Sequence, residues 1–264
     1  MTATAPLKIT RDKRLMVASV LNGGAAADHL GSVAALAMRV REGADNCAFV
    51  CLEAGGAADR ARNALVGAFL ATDCTHLLLV DGAIGFDPAA VLDLLDWTER
   101  DEAYAMMAAP CPAAQINWGL VAMASAAGVG ADNPADLARV AGQFTLDLAD
   151  PEAPVAIDQP VELTGAQSGV LLIRRGVIES LVARHTELAY AAEARDQVPG
   201  AARETLPALF QSAVDPASGR FLSGTMLFGH RARSAGFPFV AGSVDADHPH
   251  RFCPFCRFAR RAEQ

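Results

Sequence analysis

The sequence predicts an α/β protein, with a mainly parallel central sheet that carries helices on both faces. Short apolar segments of strand length alternate with helix-like segments over residues 15–109, and turns rich in Gly and Asp separate them. Strands that alternate with helices form βαβ units, whose right-handed crossovers place parallel strands side by side. Hydrophobic residues make up 52% of the chain and charged residues 20%, a balance that allows a large buried core.

The elements of the first half follow from hydrophobic periodicity. Each predicted strand is a short apolar run, and each predicted helix repeats apolar residues every three or four positions. Asp87 and Pro88 mark the start of the third helix, because Asp is a favoured N-cap and Pro a favoured first helical residue. The predicted strands are residues 15–21, 47–52, 76–80 and 103–109, and the predicted helices are residues 29–41, 57–72 and 88 onward.

The second half is predicted to be less regular. Residues 111–158 are rich in Ala, Gly, Pro and Asp, which predicts an irregular excursion from the sheet. After this segment, the sequence predicts a strand at residues 169–173 and a helix at residues 176–185. The last helix begins after Ser223 as its N-cap, ends near Gly236 and leads into a final strand.

We divide the chain into three parts. Residues 1–14 are expected to form a flexible N-terminal arm, residues 15–250 a single domain, and residues 251–264 a basic tail that contains cysteine. No clean linker divides the central part, and a single α/β domain often reaches this length.

Charge and hydropathy narrow the classes of function. The net charge of −8 argues against binding to nucleic acids or anionic membranes, since both require a basic surface. No run reaches the ~20 apolar residues of a membrane-spanning helix, and the N-terminus has no apolar core of a signal peptide. We therefore expect a cytoplasmic protein without a transmembrane segment. The six cysteines are sparse for a disulfide scaffold and are expected to be free thiols.

The most specific motif lies in residues 61–88. It has ARN at residues 61–63 on the second predicted helix, Asp81 after the third predicted strand, and IGFDP at residues 84–88. This block resembles the GT-A class of nucleotide-sugar glycosyltransferases, in particular a bacterial group with an Ala-Arg-Asn helix before its aspartate strand. Weaker similarities follow in the same order at residues 115–118, 164–175 and 221–236, so the resemblance covers about residues 15–248.

The resemblance implies a GT-A, Rossmann-like nucleotide-diphospho-sugar transferase fold and a hexosyltransferase that acts on a glycan or lipid-linked acceptor. In this family an Asp-X-Asp motif holds Mn²⁺ or Mg²⁺, which bridges the donor diphosphate. A carboxylate on the acceptor-side helix removes the proton of the acceptor hydroxyl in inverting members. Carried onto this sequence, the resemblance implies donor contacts by Arg62, Asn63 and Asp81, and metal contacts by Asp81 and, more weakly, His248.

The sequence departs from the family pattern at both carboxylate positions. Asp81-Gly82-Ala83 keeps the first aspartate but has Ala in place of the second, and Ser223-Gly224-Thr225 stands where the group has Ser-Glu-Asp. A divalent cation therefore has few ligands left, and the catalytic residues are unknown from the sequence. Two hypotheses follow: an active hexosyltransferase, or a catalytically inactive GT-A-fold binding or regulatory partner.

Each candidate residue also has a structural interpretation. Asp81 can cap the turn after its strand. Arg62 and Asn63 can be packing or surface residues of their helix. Asp87 can be a helix cap rather than a substitute metal ligand.

The C-terminal tail contains a second candidate metal site. His248, His250, Cys253 and Cys256 supply nitrogen and sulfur donors of the kind that bind zinc. Their spacing is tighter than in common zinc modules, so unligated thiols and a redox-active Cys pair are the alternatives.

Overall fold

In a computed structural model of the chain, the described residues are 13–40, 47–109, 111, 116–142, 146–152, 160–166, 168–216, 218–242 and 252–253. Only residues 13 and 14 of the predicted N-terminal arm are described. Of the predicted tail, only residues 252 and 253 are described. Of the candidate zinc ligands, His248, His250 and Cys256 lie outside the described residues, and only the backbone of Cys253 is described.

Strands and helices alternate along the described residues. The strands are β1 (Leu15–Leu21), β2 (Cys47–Glu53), β3 (His76–Asp81), β4 (Gly85–Phe86), β5 (Met106–Ala108), β6 (Leu146–Leu148), β7 (Val161–Ala166), β8 (Val170–Arg174), β9 (Ala189–Ala191), β10 (Thr205–Pro207), β11 (Ala213–Val214), β12 (Phe221–Leu222), β13 (Phe239–Ala241) and β14 (Phe252–Cys253). The α-helices are α1 (Ala27–Val40), α2 (Ala58–Leu70), α3 (Pro88–Arg100), α4 (Trp118–Ala126), α5 (Arg175–Arg184) and α6 (Gly224–Ser234). Within the ranges that the structure describes, no helix is long and apolar enough to cross a membrane.

Eight strands form one mixed sheet in the order β2-β1-β3-β8-β5-β13-β7-β6. β1 pairs in parallel with β2 and β3, and β13 pairs in parallel with β5. β8 runs antiparallel to β3 and β5, and β7 runs antiparallel to β13 and β6. The α/β prediction is confirmed, but the sheet is mixed rather than mainly parallel. Strands buried on both faces are apolar whichever way they run, so the sequence pattern does not reveal that β8 is reversed.

Helices cover both faces of the sheet, as predicted. α1 and α3 pack on one face against Leu15 and Val17 of β1, and α2, α5 and α6 pack on the other face with Met16 and Ala18. Successive side chains of a strand point to opposite faces, so β1 contributes to both cores. Every residue of β1 except Leu21 is buried, which fits a strand that lies between two others, β2 and β3.

Two predicted helix starts are confirmed by their N-caps. The Asp87 carboxylate accepts a hydrogen bond from the backbone N–H of Ala89 at 2.9 Å, and Pro88 is the first residue of α3. Ser223 Oγ accepts a hydrogen bond from the backbone N–H of Met226 at 3.4 Å at the start of α6. Asp87 therefore acts as a helix cap in this structure.

The predicted irregular excursion contains regular structure. Its described part includes α4, a 3-10 helix at Pro134–Val140, and β6 at the edge of the sheet. Asn117 caps α4 by accepting a hydrogen bond from the backbone N–H of Leu120 at 3.1 Å. α4 buries none of its residues and is apolar or small all round, so it lacks the amphipathic period that reveals the other helices.

The start of the predicted tail is joined to the domain. β14 pairs antiparallel with β4, so that Phe252 lies opposite Phe86 and Cys253 opposite Gly85. β4 follows the loop that leaves β3. The backbone of these two tail residues therefore lies close to the loop after Asp81.

Candidate functional site

The carboxyl ends of β1, β2 and β3 meet at one edge of the sheet, which we take as the candidate site. The loops that leave these strands contact one another through the backbone. Gly82 N–H donates to Val20 O at 2.8 Å, and Ala26 N–H donates to Gly82 O at 2.8 Å. Ala54 N–H donates to Leu21 O at 2.6 Å. Ligands of α/β sheets bind in the crevice outside the carboxyl ends of the strands, so this edge is where a ligand is expected.

Asp81, the last residue of β3, is held by an ion pair. Its Oδ1 accepts a hydrogen bond from Arg62 Nη2 at 2.7 Å, and its side chain is 36% exposed. The backbone N–H of Asp81 donates to Gly169 O at 2.8 Å. A Cβ atom at Gly169 would lie 2.7 Å from Asp81 Oδ2, so glycine leaves the space that the carboxylate occupies.

Arg62 joins two carboxylates. Besides its bond to Asp81, it donates from Nη1 to Asp59 Oδ1 at 3.2 Å, across one turn of α2. The Arg62 side chain is only 12% exposed. We call Asp59, Arg62 and Asp81 the carboxylate–arginine cluster. Two carboxylates (−2) and one guanidinium (+1) give the cluster a formal charge of −1.

The Asp59 carboxylate also reaches the start of α6. Ser212 Oγ donates to Asp59 Oδ2 at 2.7 Å. A Cβ atom at Gly224, the first residue of α6, would lie 2.6 Å from the same oxygen, which is closer than a side chain can pack. The Asp59 carboxylate thus occupies the space where a side chain at position 224 would begin. No local sequence pattern singles out Asp59 or Ser212, because their contact joins distant parts of the chain.

Two side chains hold the segment that leads to Ser212. Asn63 is 4% exposed; its Nδ2 donates to Phe210 O at 2.9 Å, and its Oδ1 accepts from Phe210 N–H at 2.8 Å. Arg231 of α6 donates to Leu209 O at 2.7 Å. Burial and these two hydrogen bonds give Asn63 a packing role in the structure, and its contact with a nucleotide-sugar stays a prediction.

Glu53, at the end of β2, is a candidate that no motif indicates. Its Oε1 accepts hydrogen bonds from the backbone N–H groups of Gly23 at 3.0 Å and Gly55 at 3.4 Å. These backbone donors, Gly23 foremost, hold the pKa of Glu53 below its usual range. The sequence feature that could have indicated Glu53 is its position as an acidic residue at the end of the second strand. In nucleotide-binding folds, an acidic residue at this position hydrogen-bonds the ribose.

His29 shapes the loop after Asp81. Its ring is fully buried, with Nδ1 2.9 Å from Ile84 O and Nε2 2.9 Å from Ser19 Oγ. Both ring nitrogens are engaged within the fold, which fits a structural role that joins α1, β1 and this loop.

The described residues do not fit a divalent cation at Asp81. Its Oδ1 already accepts a hydrogen bond from Arg62, and Ala83 has no ligand atom in its side chain. Within the described ranges, no group of three or more His, Cys, Asp or Glu could hold a metal ion. Hard divalent cations need several oxygen ligands, so Asp81 alone does not form a site. The predicted contribution of His248 lies outside the described residues.

The side chains of Cys47, Cys51 and Cys74 are free thiols, and the Cys111 thiol donates a hydrogen bond to Ala109 O at 3.4 Å. Burial, with a smaller contribution from Cys74, raises the pKa of Cys47 to about 12. Cys47 is half-buried against the core, and because the thiolate is the reactive form of cysteine, a raised pKa favours a packing role.

Comparisons with known proteins show a structural likeness but no family. No protein-family model matches the chain, and no curated protein matches it. Among solved structures, the chain is similar to the crystal structure of A197 from STIV, with 11% sequence identity and a TM-score of 0.42. The similarity covers 87% of this chain and 82% of that chain. A likeness of this degree carries no argument about activity.

Proposed function

We propose that this chain is a GT-A-type, glycosyltransferase-like protein that binds a nucleotide-sugar and transfers its hexose to a glycan or lipid-linked acceptor. The observation that carries the proposal is the Arg62–Asp81 ion pair at the end of β3. Two residues of the sequence motif are in contact there, at the edge of the sheet where α/β folds bind their ligands.

The donor would be held by hydrogen-bonding groups of this edge. Arg62 bonds Asp59 through Nη1 and Asp81 through Nη2, and a guanidinium has five N–H donors in all. The remaining donors would bind the diphosphate. Glu53 would accept hydrogen bonds from the ribose hydroxyls, the role that an acidic residue at the end of the second strand has in nucleotide-binding folds.

The negative charge of the site opposes binding of the anionic nucleotide-sugar. The carboxylate–arginine cluster and a diphosphate are both anionic, so backbone N–H groups and Arg62 must offset their repulsion. Since the described residues do not fit a divalent cation, we expect donor binding that does not depend on Mn²⁺.

A thermal-shift screen tests the proposal, because a ligand that binds only the folded state raises the melting temperature. The probes are UDP-glucose, UDP-galactose, UDP-N-acetylglucosamine and GDP-mannose, each with and without MnCl₂. We expect at least one probe to raise Tm without Mn²⁺. Arg62→Met should abolish this increase, measured from the Tm of the variant itself.

The matched control is Arg39→Met, which removes an exposed arginine near the carboxyl end of α1. This variant should respond to the same probe as the wild-type protein does. The absence of any Tm increase in the wild-type protein with all four probes refutes the proposal.

The second candidate function is a catalytically inactive binding or regulatory partner. The observation that favours it is the lack of the family's carboxylates at Ala83 and at Gly224-Thr225, while Asp81 is held in an ion pair. Release of nucleoside diphosphate separates the two candidates. A nucleotide-sugar that stabilises the protein but is not turned over supports the inactive partner.

A further inference from the structure

The first turn of α6 has no carboxylate of its own but lies against one that α2 provides. We propose that Asp59 is the catalytic carboxylate of this site, the general base that takes the proton of the acceptor hydroxyl. This inference rests on the proposed transferase function and names a catalytic residue for it. Its basis is the position of the Asp59 carboxylate against Gly224, where a Cβ atom would come within 2.6 Å of Oδ2.

Helix capping does not explain this position of Asp59. Ser223 is the N-cap of α6 and accepts the hydrogen bond of Met226 N–H. The N-cap of α2 is Ala57, which forms no side-chain cap bond. The Asp59 carboxylate instead accepts from two side chains, one on its own helix and one on the segment that precedes β11.

The hydrogen bonds of Asp59 suit a general base. Oδ1 accepts from Arg62 and Oδ2 from Ser212, so both oxygens are held in place. An ionised carboxylate has about four acceptor positions, which leaves two for a substrate hydroxyl. The side chain is 28% exposed, so an acceptor can reach it. Asn63 and Arg231, which hold the segment of Ser212, are positioning residues for this carboxylate.

Arg62 connects the base to the donor side of the site. One guanidinium bonds both carboxylates, so Asp59 and Asp81 lie within its span. An acceptor hydroxyl at Asp59 is therefore close to a donor whose diphosphate contacts Arg62. Such proximity is what general-base catalysis of group transfer requires.

The proposed step needs no reactant other than the nucleotide-sugar, the acceptor and the Asp59 carboxylate. The acceptor oxygen forms a bond to C1 of the sugar as its proton passes to the Asp59 carboxylate. The bond between C1 and the diphosphate oxygen breaks, and its electron pair leaves with the nucleoside diphosphate. With water as the acceptor, the same step releases the free sugar.

Release of nucleoside diphosphate with water as the acceptor measures this step. The substrate is whichever of the four probes gives the largest thermal shift. For Asp59→Asn we expect kcat to fall by roughly 10²–10⁴-fold, the usual effect of losing a general base. KM and the thermal shift should change by less than about threefold, because the variant keeps the donor site.

Two further variants complete the experiment. Asp73→Asn removes a 73% exposed carboxylate before the amino end of β3, away from the site, and should leave kcat unchanged. Gly224→Glu alone should destabilise the protein, since its side chain collides with Asp59. The double variant Asp59→Ala/Gly224→Glu removes the collision and returns a carboxylate to α6, so stability and part of kcat should be regained.

The outcomes separate this inference from the function on which it rests. A kcat for Asp59→Asn within about threefold of wild type overturns the inference. Binding of a probe to the wild-type protein without release of nucleoside diphosphate also overturns it. If Asp59→Asn does not fold, the folded double variant Asp59→Ala/Gly224→Gln, which has no carboxylate at either position, overturns the inference if its kcat is within about threefold of wild type. No binding of any probe overturns the proposed function itself.

Discussion

His76 makes the stability of this fold sensitive to acid. Its ring is 4% exposed, with Nδ1 2.9 Å from Thr75 Oγ and Nε2 3.2 Å from Thr98 Oγ. The Thr98 hydroxyl donates to Leu95 O at 2.7 Å, so it accepts from Nε2–H. The Thr75 hydroxyl has two acceptors in reach, His76 Nδ1 at 2.9 Å and Arg14 O at 3.2 Å, and the shorter contact makes Nδ1 the acceptor. This arrangement is satisfied by a neutral imidazole.

Burial lowers the pKa of His76 from 6.5 to about 4, and the charges of Arg174 and Lys13 add to this effect. Glu99 Oε1 lies 3.9 Å from Nε2 and favours the protonated ring, but its side chain is 42% exposed and water screens its charge. The folded-state pKa is therefore below that of the unfolded chain, so protonation favours unfolding. The stabilisation is complete above pH 6.5 and is lost as the pH falls from 6.5 to 4.

The magnitude of this loss follows from the shift in pKa. Each unit of pKa corresponds to about 1.4 kcal/mol, so the fall from 6.5 to about 4 amounts to about 3.5 kcal/mol. About 3 kcal/mol of this is lost by pH 4, where the ring of the folded protein is half protonated. Urea denaturation of the wild-type protein and His76→Gln, between about pH 7.5 and pH 4, measures it. We expect the free energy of unfolding of the wild type to fall about 3 kcal/mol further than that of the variant. Parallel curves for the two proteins would refute the account of a buried neutral ring.

Three other substitutions test contacts that shape the fold and the site. Arg175→Ala should lower the free energy of unfolding by about 2–3 kcal/mol, because the guanidinium donates to three backbone carbonyls at and beyond the end of α2. Urea denaturation beside the exposed control Arg184→Ala checks this, and equal losses would contradict it. Gly169→Ala should cost about 1–3 kcal/mol through overlap with the Ile84 side chain and the Asp81 carboxylate. Gly176→Ala in α5, where nothing lies within 4 Å of the added Cβ atom, should instead stabilise the protein by about 0.5–1 kcal/mol. Thermal melts in which both variants shift Tm in the same direction would contradict this pair of predictions. Asn63→Ala should cost about 2–3 kcal/mol, since it leaves two buried backbone groups of the chain unpaired; a loss below about 0.5 kcal/mol in urea would disprove it.

Local signals explain which parts of the fold the sequence predicts. Leu15–Leu21 forms β1 with the predicted bounds, because an apolar run followed by an Asn-Gly-Gly turn is sufficient to define it. Asp87 and Ser223 carry their capping chemistry within a few residues of the helices that they begin. The direction of β8 is different, because it depends on which strands it pairs with rather than on its own composition.

The candidate site is predictable only as far as its motif. Arg62 and Asp81 belong to one sequence block and are in contact in the structure, although their binding role stays a prediction. Asp59 and Ser212 meet across a sequence separation of 153 residues, and Asn63 bonds Phe210 across 147. Contacts of this range depend on how the helices pack on the sheet, and a single sequence carries no local pattern for them.

The contact between Asp59 and Gly224 also restricts the order in which mutations can accumulate. A longer side chain cannot enter position 224 while the Asp59 carboxylate fills that space. If Asp59 were lost first, Arg62 would keep only its ion pair with Asp81. The first turn of α6 would still have no carboxylate of its own. Each single change is therefore unfavourable alone, and the two positions form an epistatic pair. Among natural variants of this chain, we expect a carboxylate at one of the two positions and rarely at both.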